Sequence, residues 1–167
     1  MVKEKDNLKI FALGGLNEIG KNCYVIEKNN EIIVVDAGVK FLSGNYNLAN
    51  AIIPNFDYLK NNKDKVKGVF VTHGHEDHIG AIPYLLEVVP GTPIYGSEFS
   101  LAILRQKMKN STKFQSLSFS DETVVRTAEF KFQFFRVTHS IPGSFGVIVE
   151  TLTGNVRIAL TGDFKFD

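Results

Sequence analysis

One stretch limits this chain more than any other feature: Thr72-His73-Gly74-His75-Glu76-Asp77-His78 packs three imidazoles and two carboxylates onto the end of an apolar run. The chain has only four histidines, so His139 alone lies outside this stretch and none is left for ordinary packing. Imidazole suits zinc and other transition metals, and a carboxylate can bridge or complete a second ion. A strand–loop–helix turn lets neighbouring side chains converge, with Gly74 expected to allow a sharp bend without a Cβ clash. His73 and His75 then face one ion while Asp77 and His78 face another. The bland alternative is a polar cluster at a helix mouth, with Asp77 merely capping a helix that begins near Ile79. That alternative leaves the concentration of histidines unexplained.

A regularity along the chain extends the cluster. Phe70-Val71-Thr72 runs into His73, Arg136-Val137-Thr138 into His139, Ala159-Leu160-Thr161 into Gly162-Asp163, and the run 32–35 into Asp36. Ligands in layered α/β folds gather outside the carboxyl ends of strands, where connecting loops are free to carry chemistry. Four such endings predict one shared site at a sheet edge. Asp163 is the natural bridging carboxylate between ions that sit about 3.5–4 Å apart in two-metal sites. Asp36 is expected to accept the second ring N–H of a ligating histidine and so fix its tautomer; the competing reading is a plain Asp-Ala-Gly turn.

The rest of the chain reads as short strands with two helices. Strands are expected over 8–13, 22–27, 32–36, 68–72, 92–95, 130–138, 146–150 and 156–161, with turns at Asn29-Asn30 and Thr153-Gly154-Asn155. Helical spacing of Ile79, Ile82, Leu85, Leu86 and Val89 predicts a helix over 79–89. A second is expected over 97–109, capped by Ser97 and apolar along Phe99, Ala102, Ile103 and Met108. Residues 41–58 are polar and irregular and read as a long surface loop.

With 167 residues, 44% of them hydrophobic and 22% charged, the chain fits one soluble domain. A net charge of +1 argues against a nucleic-acid coat protein or a membrane-surface binder, but not against a nucleic-acid enzyme. The apolar runs are too short to span a bilayer, and the charged start, MVKEKDN, is unlike a secretory signal, so a cytoplasmic location is expected. Cys23 is the only cysteine; its strand-like surroundings make it a packing residue rather than a reactive thiol. Gly15-Leu16-Asn17-Glu18-Ile19-Gly20-Lys21 imitates a phosphate-cradling loop, but Asn22 replaces the required Ser or Thr and a strand follows where a helix is needed. Nucleotide hydrolysis there is therefore not expected, though Asn17 or Asn22 is placed to contact substrate if the loop lines the cleft.

The run His73-x-His75-x-Asp77-His78, with His139 and Asp163, resembles the metallo-β-lactamase signature. Leu13–Asn22, Val34–Gly38, Val137–Pro142 and Thr161–Asp167 together resemble the bacterial ribonuclease J family, whose His-Ser-Ile-Pro and Gly-Asp-Phe-Lys-Phe-Asp stretches separate it from lactamases and thioesterases. The resemblance implies an α+β (αββα-type) fold: a β-sandwich flanked by helices, here incomplete. The chain would be the N-terminal portion of a metallo-β-lactamase domain, with the RNA-binding β-CASP domain and the remainder, including a further ligand histidine, absent. Exposed apolar faces would then favour self-association or a complex with a related ribonuclease subunit. The implied activity is metal-dependent hydrolysis of single-stranded RNA, endonucleolytic or from the 5′ end. Two divalent ions are implied, zinc first, with manganese or magnesium as alternatives. His73, His75 and His139 would hold one ion and Asp77 and His78 the other, Asp163 bridging; Asp77, His78 and Asp163 would carry the chemistry. The isolated chain would be inactive or impaired. Asn17, where the family often has Gly, and the loop 41–50 depart from the pattern. Two other readings stand beside it: a hydrolase of a small thioester or lactam, and a non-catalytic metal-binding fragment.

Overall fold

Glu31–Val35 is buried at all five positions, the mark of a strand covered on both faces. It sits inside a mixed sheet in the computed structural model, which describes residues 7–42, 51–108 and 114–166. That sheet has the order β1 (Leu8–Gly14), β2 (Cys23–Lys28), β3 (Glu31–Val35), β6 (Val66–Phe70), β7 (Ile94–Gly96) and β8 (Ser116–Ser118). The first three strands are antiparallel, and β3, β6, β7 and β8 run parallel. A second, antiparallel sheet has the order β12 (Arg157–Leu160), β11 (Phe145–Thr151), β10 (Phe130–Arg136) and β9 (Val124–Arg126). The short pair β4 (Lys40–Phe41) and β5 (Ala51–Ile52) stands apart.

The period of two along each strand divides the core. Ile33 and Val35 of β3, with Ile26 and Phe70, face Phe130, Phe132, Phe134, Val147 and Val149 of the second sheet. Ile32 and Val34 face the other way, into a layer that holds Leu85 and Leu104. Each buried large side chain contributes roughly 1.5–3 kcal/mol, so the sandwich, and not any loop, carries the fold. Glu31 ties the sheets together at the start of β3 by accepting the backbone N–H groups of Ala128 (3.2 Å) and Glu129 (2.9 Å). The active end of the strand is thereby left to other bonds.

The helices are α1 (Asp57–Asn61), α2 (Glu76–Ile79), α3 (Ile82–Val88) and α4 (Glu98–Lys107). Those with core residues pack on the first sheet, so among the described residues the second sheet has no helical cover. Three expectations need correction. The helix expected over 79–89 is two helices, because Pro83 has no N–H to bond the Ile79 carbonyl and restarts the chain at α3. In α4 Ser97 caps as expected, accepting from the Ser100 N–H, but the buried side is Leu101, Leu104 and Met108, while Phe99 is 43% exposed. The loop expected over 41–58 contains β5 and the start of α1; residues 43–50 lie outside the described residues. The three-residue strands β8 and β9 were too short to show a period in the sequence.

Candidate metal centre

The polar residue stands three positions past the end of β6 (His73), β10 (His139) and β12 (Asp163) and one past the end of β3 (Asp36), and all four reach one place. After β3, Asp36 takes a left-handed backbone (φ 60°), which turns its carboxylate inward. There it accepts the Thr72 N–H and the Thr72 hydroxyl, each at 2.8 Å, and lies 2.7 Å from His78 Nδ1. With Nδ1–H donating to Asp36, the lone pair of His78 lies on Nε2. The Thr72 hydroxyl has spent its proton on Asp36, so at 3.0 Å it accepts from His73 Nδ1–H. His73 Nε2 is then also a lone pair, fully buried and without any hydrogen-bond partner.

His75, the N-cap residue of α2, and His139 complete the imidazole group. His139 Nε2 lies 3.1 Å from His75 Nδ1, and the rings of His73, His75 and His139 meet edge to face with centroids 4.6–4.9 Å apart. Asp163 follows Gly162, whose left-handed φ of 60° and close approach to Thr72 exclude a Cβ. The loop is pinned beside His139 by Lys165 N–H donating to Thr138 O at 2.9 Å. Asp163 Oδ1 is 3.4 Å from His78 Nε2 and its Oδ2 is 3.9 Å from His139 Nε2, so one carboxylate touches both histidine groups. Asp77 Oδ2 lies 3.7 Å from His78 Nε2. All six residues from the first cluster and the later loops, with Asp36, are thus within one site.

Backbone fit holds the helix that carries Asp77 and His78. A Cβ on Gly38 would lie 1.5 Å from the Asp77 carbonyl oxygen, so only glycine allows the chain to pass there. Ala37 N–H donates to His78 O (2.8 Å) and Val39 N–H to Glu76 O (3.0 Å). Gly74 corrects an expectation: its φ is not left-handed, and what its missing Cβ spares is a 2.8 Å approach to Ile103 Cδ1. Glycine serves packing there, not bending.

The electrostatics favour a cation. Burial, reinforced by His78, pulls His73 down to about 4, so its ring is neutral and free to ligate. Burial also lowers His139, with His75 and His78 adding to it against the pull of Asp163. At His78 burial opposes the charged form, but Asp36, with Asp77 and Asp163, outweighs it and raises the pKa. Two trios bring their ligand atoms within 4.8 Å of one another: His73, His75, His139 and His73, His78, Asp163. An orphaned buried nitrogen among converging lone pairs and carboxylates fits a divalent metal. Beside the cluster a cavity of about 250 Å³ is lined by Asn22, Tyr24, Thr72, His78, Leu160 and Asp163, among others. Sequence reasoning missed the Thr72 hydroxyl as the link between Asp36 and His73; the Thr that precedes both His73 and His139 was the available signal. Cys23 is buried with its thiol pushed up, an unreactive packing residue.

This chain belongs to the metallo-β-lactamase superfamily, whose family model, "Metallo-beta-lactamase superfamily", matches residues 16–167. Among its curated relatives, ribonuclease J of Mycoplasma genitalium is 44% identical over 166 residues, covering 98% of this chain and 29% of that protein. Ribonuclease J2 of Bacillus subtilis is 42% identical over 168 residues, covering 99% and 30%. The chain therefore spans about 30% of the length of these relatives. The metallo-beta-lactamase fold protein YhfI from Bacillus subtilis shares the fold, with a TM-score of 0.69 at 21% identity over 97% of this chain and 65% of that one. No helix among the described residues is long and apolar enough to cross a membrane.

Proposed function

We propose that this chain carries the metal-binding part of a ribonuclease that hydrolyses RNA phosphodiester bonds in RNA processing and decay. The observation that carries the reading is the meeting of His73, His75, His78, His139 and Asp163 at one sheet edge, in a chain 44% identical to a ribonuclease J. His73, His75 and His139 would hold one ion, and Asp77 and His78 the other, with Asp163 between them. Zinc suits this nitrogen-rich set best, with manganese or magnesium as alternatives. Such ions, when bound, lower the pKa of water and offset charge on phosphoryl oxygens. Asp36 keeps the His78 ring turned, through the 2.7 Å contact to Nδ1. Asp77, half-exposed beside it, orients the attacking water. The substrate in this reading is single-stranded RNA, cut internally or from the 5′ end in the cytoplasm, by an assembly of this protein with itself or with a related ribonuclease subunit.

Thioester or lactam hydrolysis has less support, because the relatives that match nearly the whole chain are named ribonucleases. The test uses the chain extended to the length of those relatives and a 5′-phosphorylated single-stranded RNA. His75→Ala should lower cleavage by about 100-fold or more, and chelation should abolish it. Cleavage undiminished by both treatments, or faster turnover of a thioester than of RNA, would overturn the reading.

A further inference from the structure

The glycine-flanked loop 14–22 imitates a phosphate cradle without being one, and its last residue points into the metal centre. Asn22 is held twice by its backbone: its N–H donates to Asp77 O at 3.0 Å, and its carbonyl accepts from Gly38 N–H at 2.9 Å. Its side-chain amide nitrogen lies 3.2 Å from the same Asp77 carbonyl, 3.5 Å from Asp77 Oδ2 and 3.1 Å from His78 Nε2. His78 has committed its Nδ1–H to Asp36, so the amide N–H of Asn22 meets the Nε2 lone pair. A cation and an N–H cannot share one lone pair. The amide already lies 3.2 Å from Asp77 O and 3.5 Å from Asp77 Oδ2, and of the two the charged carboxylate oxygen is the stronger acceptor for the displaced N–H.

We propose that Asn22 is a positioning residue: its side-chain amide holds His78 and Asp77 ready for a divalent cation and passes its N–H from His78 Nε2 to Asp77 Oδ2 when the cation binds. The inference rests on the reading of His78 as a metal ligand. Hydrogen bonds to ligating carboxylates commonly account for about 10–100-fold in metal affinity, so the bond to Asp77 is the one that favours the cation, while the bond to His78 Nε2 only holds the ring until the cation arrives. Only the side chain is at issue, because both backbone bonds survive replacement of Asn22.

The test titrates the metal-free chain with Co²⁺, following visible absorption and the imidazole ¹⁵N resonances, for wild type, Asn22→Ala and Asn22→Ser. Without metal, Asn22→Ala should move the His78 Nε2 resonance towards that of an unbonded lone pair and leave His75 in place. With Co²⁺, the ion that perturbs His78 should bind about tenfold more weakly in Asn22→Ala, while the one that perturbs His75 and His139 keeps its affinity. Asn22→Ser, which retains an O–H donor, should recover most of the loss. Wild type responding at His78 with Asn22→Ala binding equally tightly overturns the inference alone. Wild type showing no Co²⁺ response at His78 overturns the ligand reading beneath it as well. Should Asn22→Ala unfold, Asn22→Ser decides: affinity near wild type supports the donor role, and a tenfold loss in a folded chain refutes it.

Discussion

The buried carboxylate of Asp36 closes three of the site's bonds at the wall of the cavity. Its carboxylate takes the Thr72 N–H, the Thr72 hydroxyl and the His78 ring, all of them buried. Asp36→Ala leaves those buried donors unpaired, and loss of one member of a buried charged network costs about 3–5 kcal/mol. Chemical denaturation should show a stability loss of that order, with zinc affinity falling 10–100-fold; a loss below about 1 kcal/mol would mean that the network relaxes freely. The ligand types were legible at this scale because four histidines and a run of strand-ending polar residues had no other use. The Thr72 relay was not, since it depends on the left-handed φ of Asp36, which no spacing of residue types reveals.

Among the elements, the β1–β2 loop depends on Glu18. Its carboxylate accepts from Lys40 at 2.9 Å and from Gly15 N–H at 3.4 Å, and pairs with Lys21 at 3.1 Å. The hydrogen bond from Lys40, then that from Lys21, holds its pKa down to about 2. A folded pKa below the unfolded one means that the unfolded chain takes up the proton first on acidification. The brace is thus fully present above the ordinary value of 4.5 and is lost as pH falls from there through about 2. Hydrogen exchange at the Lys21 and Asn22 amides should accelerate relative to the β2 amides over that window, and Glu18→Gln should be fast already at neutral pH. Equal protection in the two proteins at every pH would show that the brace does not hold the loop. The strands here were legible to within a few residues from their Val, Ile and Phe content and flanking turns. The break between α2 and α3 was visible only as Pro83 inside an apolar period, and the period outweighed the proline.

For the whole molecule, two sheets pack face to face, and at one end of the sandwich the loops after β3, β6, β10 and β12 empty into one centre. The first sheet supplies Asp36 and the histidine cluster, the second His139 and Asp163. Neither sheet alone makes the site, which is why no single motif could specify it and why His139 and Asp163, taken one at a time, were weaker readings than the first histidine cluster. Among the described residues the second sheet has no helical cover, and Phe164 and Phe166 are exposed. The central claim is that both sheets furnish ligands to a shared pair of cations. Equilibrium dialysis of the metal-free chain against zinc, followed by elemental analysis, tests it when wild type and His139→Ala are run side by side. About two zinc ions per wild-type chain are expected, with His139→Ala losing one and keeping the other. Zinc uptake indifferent to that substitution, or none by the wild type, would contradict a joint centre.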